Sequence, residues 1–360
     1  MKHLATFSLL VLALLPSSTP AQEESTSWTD RIKFKGDIRL RHESIDEDGE
    51  AGRDRQRFRT RFGASAEVTD NVQFVLQFAS GGDNPVSTNQ TFDGGFSTKD
   101  FGIDLAYVDW SATDDLNVYG GKMKNPLFRA GKAPLIWDGD LNPEGVAAAY
   151  KNGAFFANVG WFAVEERSSG DDSMLYALQL GGKFSIGDNA KFTAGAGYFE
   201  YSDTIGFEPF YDARNKGNSV DIDGNYIFEY KNTEAFAQFD MSLGNLPLSV
   251  FAHWTRNGEV DVEDTAVAFG ARIGSARSRG DWEASWTYMD IEADSVIGAF
   301  SDSDFGGGGT DSSGHMIKGK YAVSRRVSVG GTYFTNDVDR FQGIEHDYDR
   351  LQLDVEFKFE

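Results

Sequence analysis

The sequence predicts a closed antiparallel β-barrel that crosses a membrane, and three observations lead to this fold class. Apolar and polar side chains alternate at a period of two in runs long enough to cross a bilayer when a strand is tilted. About sixteen such runs occur, an even number as in bacterial outer-membrane barrels. The segments between the runs alternate in length, short then long, which is typical of short periplasmic turns and long extracellular loops.

A cleavable signal peptide is predicted at residues 1–21. Lys2 and His3 precede an apolar run at residues 9–15, and Thr19 and Ala21 occupy the positions that a signal peptidase reads. The run is too short to span a bilayer as a helix, and no later window reaches the roughly 20 apolar residues that such a helix needs. The mature chain is therefore expected to start at Gln22, to leave the cytoplasm and to form the barrel over residues 22–360.

The composition excludes several classes of function. The chain has no cysteine, so disulfides, thiol catalysis and cysteine-ligated metal sites are ruled out. The formal net charge of -22 argues against nucleic acid as a partner, because binding a phosphate backbone needs a basic face. No cofactor and no metal site is predicted.

The first two predicted strands, residues 32–43 and 55–68, carry a column of arginines. Phe34, Ile38 and Phe62 are among the apolar residues of one face. The opposite face carries the basic ladder: Arg39, Arg41, Arg55, Arg57, Arg59 and Arg61. Arginine facing lipid near the midplane costs roughly 2 to 4 kcal/mol per residue, so the ladder is expected to line the lumen.

The other predicted strands follow in order to the end of the chain. They cover residues 72–80, 101–111, 116–123, 145–151, 155–164, 174–184, 191–201, 233–242, 248–256, 266–274, 281–291, 315–323, 327–335 and 347–359. The last strand places apolar residues outward up to Phe359, which resembles the C-terminal signal of outer-membrane proteins, although Glu360 follows the aromatic residue. With short turns in the periplasm, both termini are expected on the periplasmic side.

The ladder has two interpretations, and the sequence leaves both open. Fixed guanidinium groups in a narrow aqueous passage favour anions over cations, so the ladder could guide anionic solutes. Alternatively, the arginines could pair with carboxylates on neighbouring strands or on an inserted loop and keep the wall rigid.

The third long loop, residues 124–144, differs from the other loops in composition. Pro126, Pro134 and Pro143 lie among apolar residues that include Leu135 and Trp137, which favours a packed segment over a solvated one. Its charged residues are Lys124, Arg129, Lys132, Asp138, Asp140 and Glu144. The alternative is an ordinary extracellular loop.

Three motifs carry a resemblance to a known family. They are DRQRFRTRFG at residues 54–63, GGKMKNP at 120–126 and IWDGDLNPEGVA at 136–147. With these motifs the mature chain resembles the putative porins of Gram-negative bacteria that are related to the phosphate-selective (O/P-type) porins. The resemblance implies a sixteen-stranded, trimeric barrel in the outer membrane that passes small solutes, with the third loop folded into the lumen. Asp138, Asp140 and Glu144 would then face the ladder and create a transverse field.

The function expected on these grounds is passive diffusion of small hydrophilic solutes and ions, with anions favoured if the ladder guides them. Lipid and lipopolysaccharide would surround a homotrimer. A non-conducting structural or adhesin barrel is one alternative, although about sixteen strands leave a water-filled lumen. An outer-membrane enzyme is disfavoured, because no histidine lies in a nucleophile motif; His42 is expected on the outer face and His346 in a loop.

Two acidic loops resemble the start of a calcium-binding loop. They are DEDGE, with Asp46, Asp48 and Glu50, and DIDGN, with Asp221 and Asp223. Neither has the full spacing or the final bidentate glutamate. They could bridge divalent ions to lipopolysaccharide phosphates, or they could be solvated loops of like charge.

Overall fold

The computed structural model describes residues 28–359, in which sixteen long antiparallel strands close into a barrel. The predicted signal peptide lies outside the described residues. The wall consists of β1 (Ile32–Glu47), β2 (Arg53–Thr69), β3 (Val72–Ser80), β5 (Phe101–Thr113), β6 (Leu116–Lys122), β7 (Glu144–Asn152), β8 (Phe155–Glu165), β9 (Ser173–Ile186), β10 (Ala190–Tyr201), β11 (Tyr230–Leu243), β12 (Leu246–Asn257), β13 (Thr265–Gly274), β14 (Trp282–Ile291), β15 (Ser312–Ala322), β16 (Val327–Val338) and β17 (His346–Phe359). Pairing of β1 with β17 closes the sheet.

The predicted fold class is confirmed, and each predicted strand overlaps one wall strand. Some strand ends were wrong. Glu144 begins β7 and His346 begins β17, although both were expected in loops. The cause is backbone pairing that continues past the alternating segment, as Glu144 pairs with Ala163 and His346 with Val338.

One short strand was not predicted. β4 (Gln90–Thr91) lies in the β3–β5 loop and pairs with β2 at Arg57 and Phe58. The pairing of β2 with β3 ends at Arg61, so the outer part of β2 has free backbone groups on that side. β4 supplies partners for them, because an unpaired sheet edge leaves hydrogen-bonding groups unsatisfied.

The connections separate the two ends of the barrel. Tight turns join β2 to β3, β7 to β8 and β11 to β12, whereas residues 81–100, 123–143, 202–229 and 292–311 form long loops at the other end. Gly153 and Gly244 occupy two of the tight turns at φ of 56° and 61°, a left-handed conformation that glycine adopts without a steric penalty. The predicted alternation in length fails at one place, because the turn at 275–281 is as long as the loop at 258–264. In outer-membrane barrels the end with the long loops is the extracellular end.

The faces of the wall follow the alternation in the sequence. Phe34, Ile38 and Phe62 are about half exposed, at 55%, 48% and 45%, on the outer face. Arg41 and Arg59 are 6% and 5% exposed on the inner face. None of the helices in residues 28–359 is long and apolar enough to cross a membrane.

The hydrophobic core lies inside the barrel, against the inner face of β8 to β14. Trp137 of the third loop and Phe300 of the β14–β15 loop belong to this core or pack on it, together with Phe199 and Tyr201 of β10. Phe210 of the β10–β11 loop stacks on Phe300 with the ring centroids 5.7 Å apart. Three inserted loops therefore fill one side of the lumen. β15 and β16 add Met316 and Phe334 to this core, whereas the inner face of β17, β1 and β2 remains mainly polar.

Candidate solute pathway

The ladder places like charges opposite one another on neighbouring strands. Arg39 pairs in register with Arg59, and Arg41 with Arg57. Such cross-strand pairs destabilise a sheet unless opposite charges offset them. β17 supplies an opposite charge, because Arg41 lies opposite Asp354 on the other side of β1.

Ion pairs connect the central arginines to carboxylates. Nε of Arg41 lies 2.7 Å from Asp354, and one guanidinium nitrogen of Arg59 lies 2.7 Å from Asp37 and 3.2 Å from Glu356. Nε of Arg61 donates to the second oxygen of Asp37 at 2.8 Å. These arginines therefore form a bonded network across β1, β2 and β17.

A second network surrounds Glu43, whose side chain is fully buried. Arg55 contacts one carboxylate oxygen of Glu43. Arg350 and Arg57 contact the other oxygen at 2.7 and 3.5 Å. Arg350 also pairs with Asp304 of the β14–β15 loop at 2.6 Å. The Glu43 carboxylate of β1 is thus the acidic partner of three guanidinium groups.

Arg39 differs from the other ladder arginines. Its guanidinium donates to Oδ1 of Asn89 at 2.6 Å, and it forms no ion pair with any residue in the described part of the chain. Five of the six ladder arginines therefore have carboxylate partners, as the interpretation of a rigid, ion-paired wall expects, and Arg39 has none among residues 28–359.

The third loop packs on the inner wall through specific hydrogen bonds. The backbone N–H of Phe128 donates to Gln179 of β9 at 2.8 Å, and that of Gly131 donates to Gln238 of β11 at 2.8 Å. Nε1 of Trp137 donates to the hydroxyl of Tyr201 at 3.0 Å. These bonds hold the loop across the lumen from the ladder.

The charged residues of this loop take different positions. Asp140 lies 3.8 Å from Arg61 and so faces the ladder. Glu144 does not face the ladder, because it is the first residue of wall strand β7 and lies opposite Lys122 of β6. Its carboxylate pairs with Nζ of Lys122 at 2.8 Å. Asp138 accepts a hydrogen bond from the backbone N–H of Ser303 at 3.2 Å and so joins two inserted loops.

The basic residues of the loop are Lys124, Arg129 and Lys132. Arg129 donates to the carbonyl of Trp137 at 3.1 Å, inside the loop itself. Burial and the neighbouring Arg61 lower the pKa of Lys124. Lys132 is exposed and has no carboxylate within ion-pair distance among residues 28–359.

The carboxyl groups between the inserted loops have perturbed acidities. Burial, with the nearby Asp302 and Asp140, raises the pKa of Asp138 well above its ordinary value. Burial also raises the pKa of Asp302, with Asp304 contributing. Burial acts in the same direction on Asp304, but Arg350 and Arg41 outweigh it and hold its pKa below the usual range. Of these three, Asp304 is therefore the firmly ionised one.

Two adjoining cavities lie between the ladder and the loops, with volumes of about 200 and 390 Å³. Both are lined by Arg39, Arg59, Asp140 and Lys318. Lys318 of β15 is exposed and has no ion pair within the described residues. Glu283 lines the larger cavity, and its carboxylate likewise has no ion pair in residues 28–359.

Several of these residues were not predicted from the sequence to line the lumen. Lys318 and Lys320 stand two apart in a predicted strand, a signal that could have placed them in the lumen. Asp302 and Asp304 lie in the β14–β15 loop, SDSDFGGGG, whose polar, glycine-rich sequence gives no indication of insertion.

The sequence matches the model of one known protein family. A family model described as Putative porin matches residues 45–231 and 210–359. No curated protein matches the sequence at a significant level.

Solved structures share the fold at low sequence identity. Pseudomonas putida OprB at high pH superimposes with a TM-score of 0.61 at 14% identity, covering 92% of this chain and 95% of that one. Salmonella typhi OmpF in complex with daunomycin gives 0.55 at 10% identity, with 92% and 99% covered. The trimer form of Vibrio cholerae OmpT gives 0.52 at 13% identity, with 91% and 99% covered.

Proposed function

The chain belongs to the family described as Putative porin and is an outer-membrane porin; we propose that small hydrophilic solutes and ions diffuse passively through it and that anions pass more readily than cations. The observation that carries the anion preference is the group of four cations at the central cavities that have no ion pair within residues 28–359: Arg39, Arg129, Lys132 and Lys318. A fixed charge in a water-filled constriction lowers the energy of the opposite ion and raises that of the like ion.

The carboxylates of the same cavities offset this charge only in part. Asp354, Glu356 and Asp304 are bound by arginines, so their field is largely compensated. The pKa of Asp138 is raised, which favours its neutral form. The main opposing charges are Glu283 and Asp140, which is 3.8 Å from Arg61. The pathway itself therefore favours anions even though the whole chain has a net charge of -22.

Reversal potential tests the preference. Purified protein in a planar bilayer under a KCl gradient is expected to give an anion-selective potential, and Lys132→Gln with Lys318→Gln is expected to move it toward zero. The matched control is Lys33→Gln with Lys99→Gln, which removes the same charge from residues outside the two cavities. A cation-selective wild type, or equal shifts in both double variants, would contradict the proposal; a protein without conductance would point to a structural barrel.

Three further properties are proposed with the function. The chain forms a homotrimer, as one solved form of Vibrio cholerae OmpT does, and cross-linking in detergent tests this. Lipid and lipopolysaccharide surround its apolar outer face. Residues 1–21 are cleaved during export, so the mature protein should begin at Gln22, which mass spectrometry of the purified protein checks.

A further inference from the structure

We propose that the extracellular mouth of the barrel contains a binding site for compact anions with two or more negative charges. The arginines around Glu43 form this site, at the end of β1 and β2 that carries the long loops. The inference rests on the proposed function, because it describes how such anions are captured before they enter the pore.

The charge balance around Glu43 is the first observation. Arg55 and Arg57 have Glu43 as their one acidic partner within the described residues, and Arg350 shares the same carboxylate. Asp304 neutralises Arg350 but is itself shared with Arg41 at 3.1 Å. Guanidinium groups therefore outnumber carboxylates in this cluster, and the excess positive charge is concentrated on the wall of the mouth.

Unused hydrogen-bond donors are the second observation. Nε of Arg350 is buried without a hydrogen-bond partner in a side chain that is 3% exposed. Nε of Arg57 is also buried and without a partner. A buried donor without a partner is unfavourable, and an anionic oxygen satisfies it with a charge-assisted bond.

A cavity of about 600 Å³ gives these groups access to a solute. Its basic lining consists of Arg53, Arg55, Arg57, Arg214 and Arg350. Glu47 and Glu50 are its acidic lining residues. Glu47 forms no ion pair with an arginine of residues 28–359; its carboxylate lies 3.2 Å from Nε2 of His346.

The shape of the site selects the class of solute. Arg55, Arg57 and Arg350 lie together on the wall of the cavity, where all three contact Glu43. The β10–β11 loop adds Arg214, which pairs with Asp212. Guanidinium groups bind carboxylate and phosphate oxygens in a planar, two-point manner. An anion with two or more acidic groups can contact several guanidinium groups of this cluster at once, whereas an anion with a single acidic group contacts fewer of them.

The mouth is also connected to the central cavities. Asn89 accepts a hydrogen bond from Arg57 on its carbonyl at 3.5 Å and one from Arg39 on its side chain at 2.6 Å. Arg39 lines both central cavities. An anion that leaves Arg57 therefore meets the unpaired Arg39 next along the wall.

The test is block of single-channel KCl current by sodium citrate, added to each side of a planar bilayer in turn, with sodium acetate as the monovalent comparison. Citrate is expected to block at lower concentration from the side with the long loops, and acetate is expected not to block. Arg57→Gln should raise the half-blocking citrate concentration roughly tenfold, the loss expected for one charge-assisted hydrogen bond. Lys33→Gln removes one cation at the opposite end of β1 and should leave the block unchanged.

Arg53→Gln provides a second variant, because Arg53 is exposed at the rim and its loss should not disturb folding; a smaller increase in the half-blocking concentration is expected. Equal block from both sides, equal block by acetate, or unchanged block in both arginine variants would overturn the proposed site. Reversal potential in KCl alone separates the two proposals. Anion preference without one-sided citrate block would exclude the mouth site and leave the proposed function standing. One-sided citrate block without anion preference in KCl would exclude the proposed anion preference and leave the mouth site standing.

Discussion

Replacing Glu43 with glutamine should destabilise the barrel. The carboxylate is fully buried and contacts Arg55, Arg57 and Arg350. Glutamine has nearly the same shape but no charge, so Arg55 and Arg57 lose their acidic partner. Buried cations that lose their partner are costly, because neither water nor a counter-charge replaces it.

The size of the effect follows from the partners that remain. Removing one partner of a buried ion pair costs about 3 to 5 kcal/mol. Arg350 keeps Asp304 at 2.6 Å, and the glutamine oxygen still accepts one hydrogen bond. We therefore expect a loss at the lower end of that range, about 3 kcal/mol in the free energy of unfolding.

Urea unfolding of the barrel in lipid vesicles, followed by tryptophan fluorescence, measures this loss. Glu144→Gln is the matched control, because its side chain is 62% exposed and its pair with Lys122 should contribute at most about 1 kcal/mol. Glu43→Gln combined with Arg55→Met should recover part of the loss, since one unpaired cation is removed with its partner. If Glu43→Gln is no less stable than Glu144→Gln, the interpretation of Glu43 as the hub of this network is wrong.

Two further changes test the inserted loops. Gly131 has a φ of +61°, and a Cβ there would lie 2.1 Å from the Phe251 ring. Gly131→Val should therefore displace the third loop and raise single-channel conductance. Unchanged conductance in a stable variant would show that the loop does not restrict the pore. The pKa of Asp138 is raised by burial and by Asp302, so the folded chain binds this proton more tightly than the unfolded chain. Its stabilising contribution is complete below the unfolded pKa of about 3.9 and is lost as the pH rises through the raised folded value. Asp138→Asn should therefore flatten the decline in urea midpoint between acid and alkaline pH, and an unchanged pH profile would exclude Asp138 as its source.

The wall of the barrel could be predicted because its information is local. Each strand alternates at a period of two, so the sequence of β1 alone places Ile38 outward and Arg39 inward. The ends of strands were less predictable. Glu144 continues β7 only because Ala163 of β8 lies opposite it, and a single run of sequence does not contain that pairing.

The partners of the ladder could not be predicted for the same reason. Asp354 reaches Arg41 because the last strand closes the barrel onto the first, a contact between residues 313 positions apart. Asp304 reaches the same arginine through a loop whose sequence gives no indication of insertion. Proline and apolar residues did indicate packing in the third loop, and the family resemblance added the expectation that this loop folds into the lumen.

The strongly acidic composition and a cationic pathway are compatible because the charges are spatially separated. Acidic residues such as Asp48, Glu50 and Asp221 are exposed in the extracellular loops, where salt screens their field beyond roughly 10 Å. Arg39 and Lys318 line the central cavities of the lumen, where protein walls limit that screening. A permeating ion therefore responds mainly to the few groups that line the cavities. Selectivity should follow the cavity-lining charges Arg39, Lys132, Lys318, Asp140 and Glu283. It should change little when exposed carboxylates outside the cavities, such as Asp48 and Asp221, are neutralised.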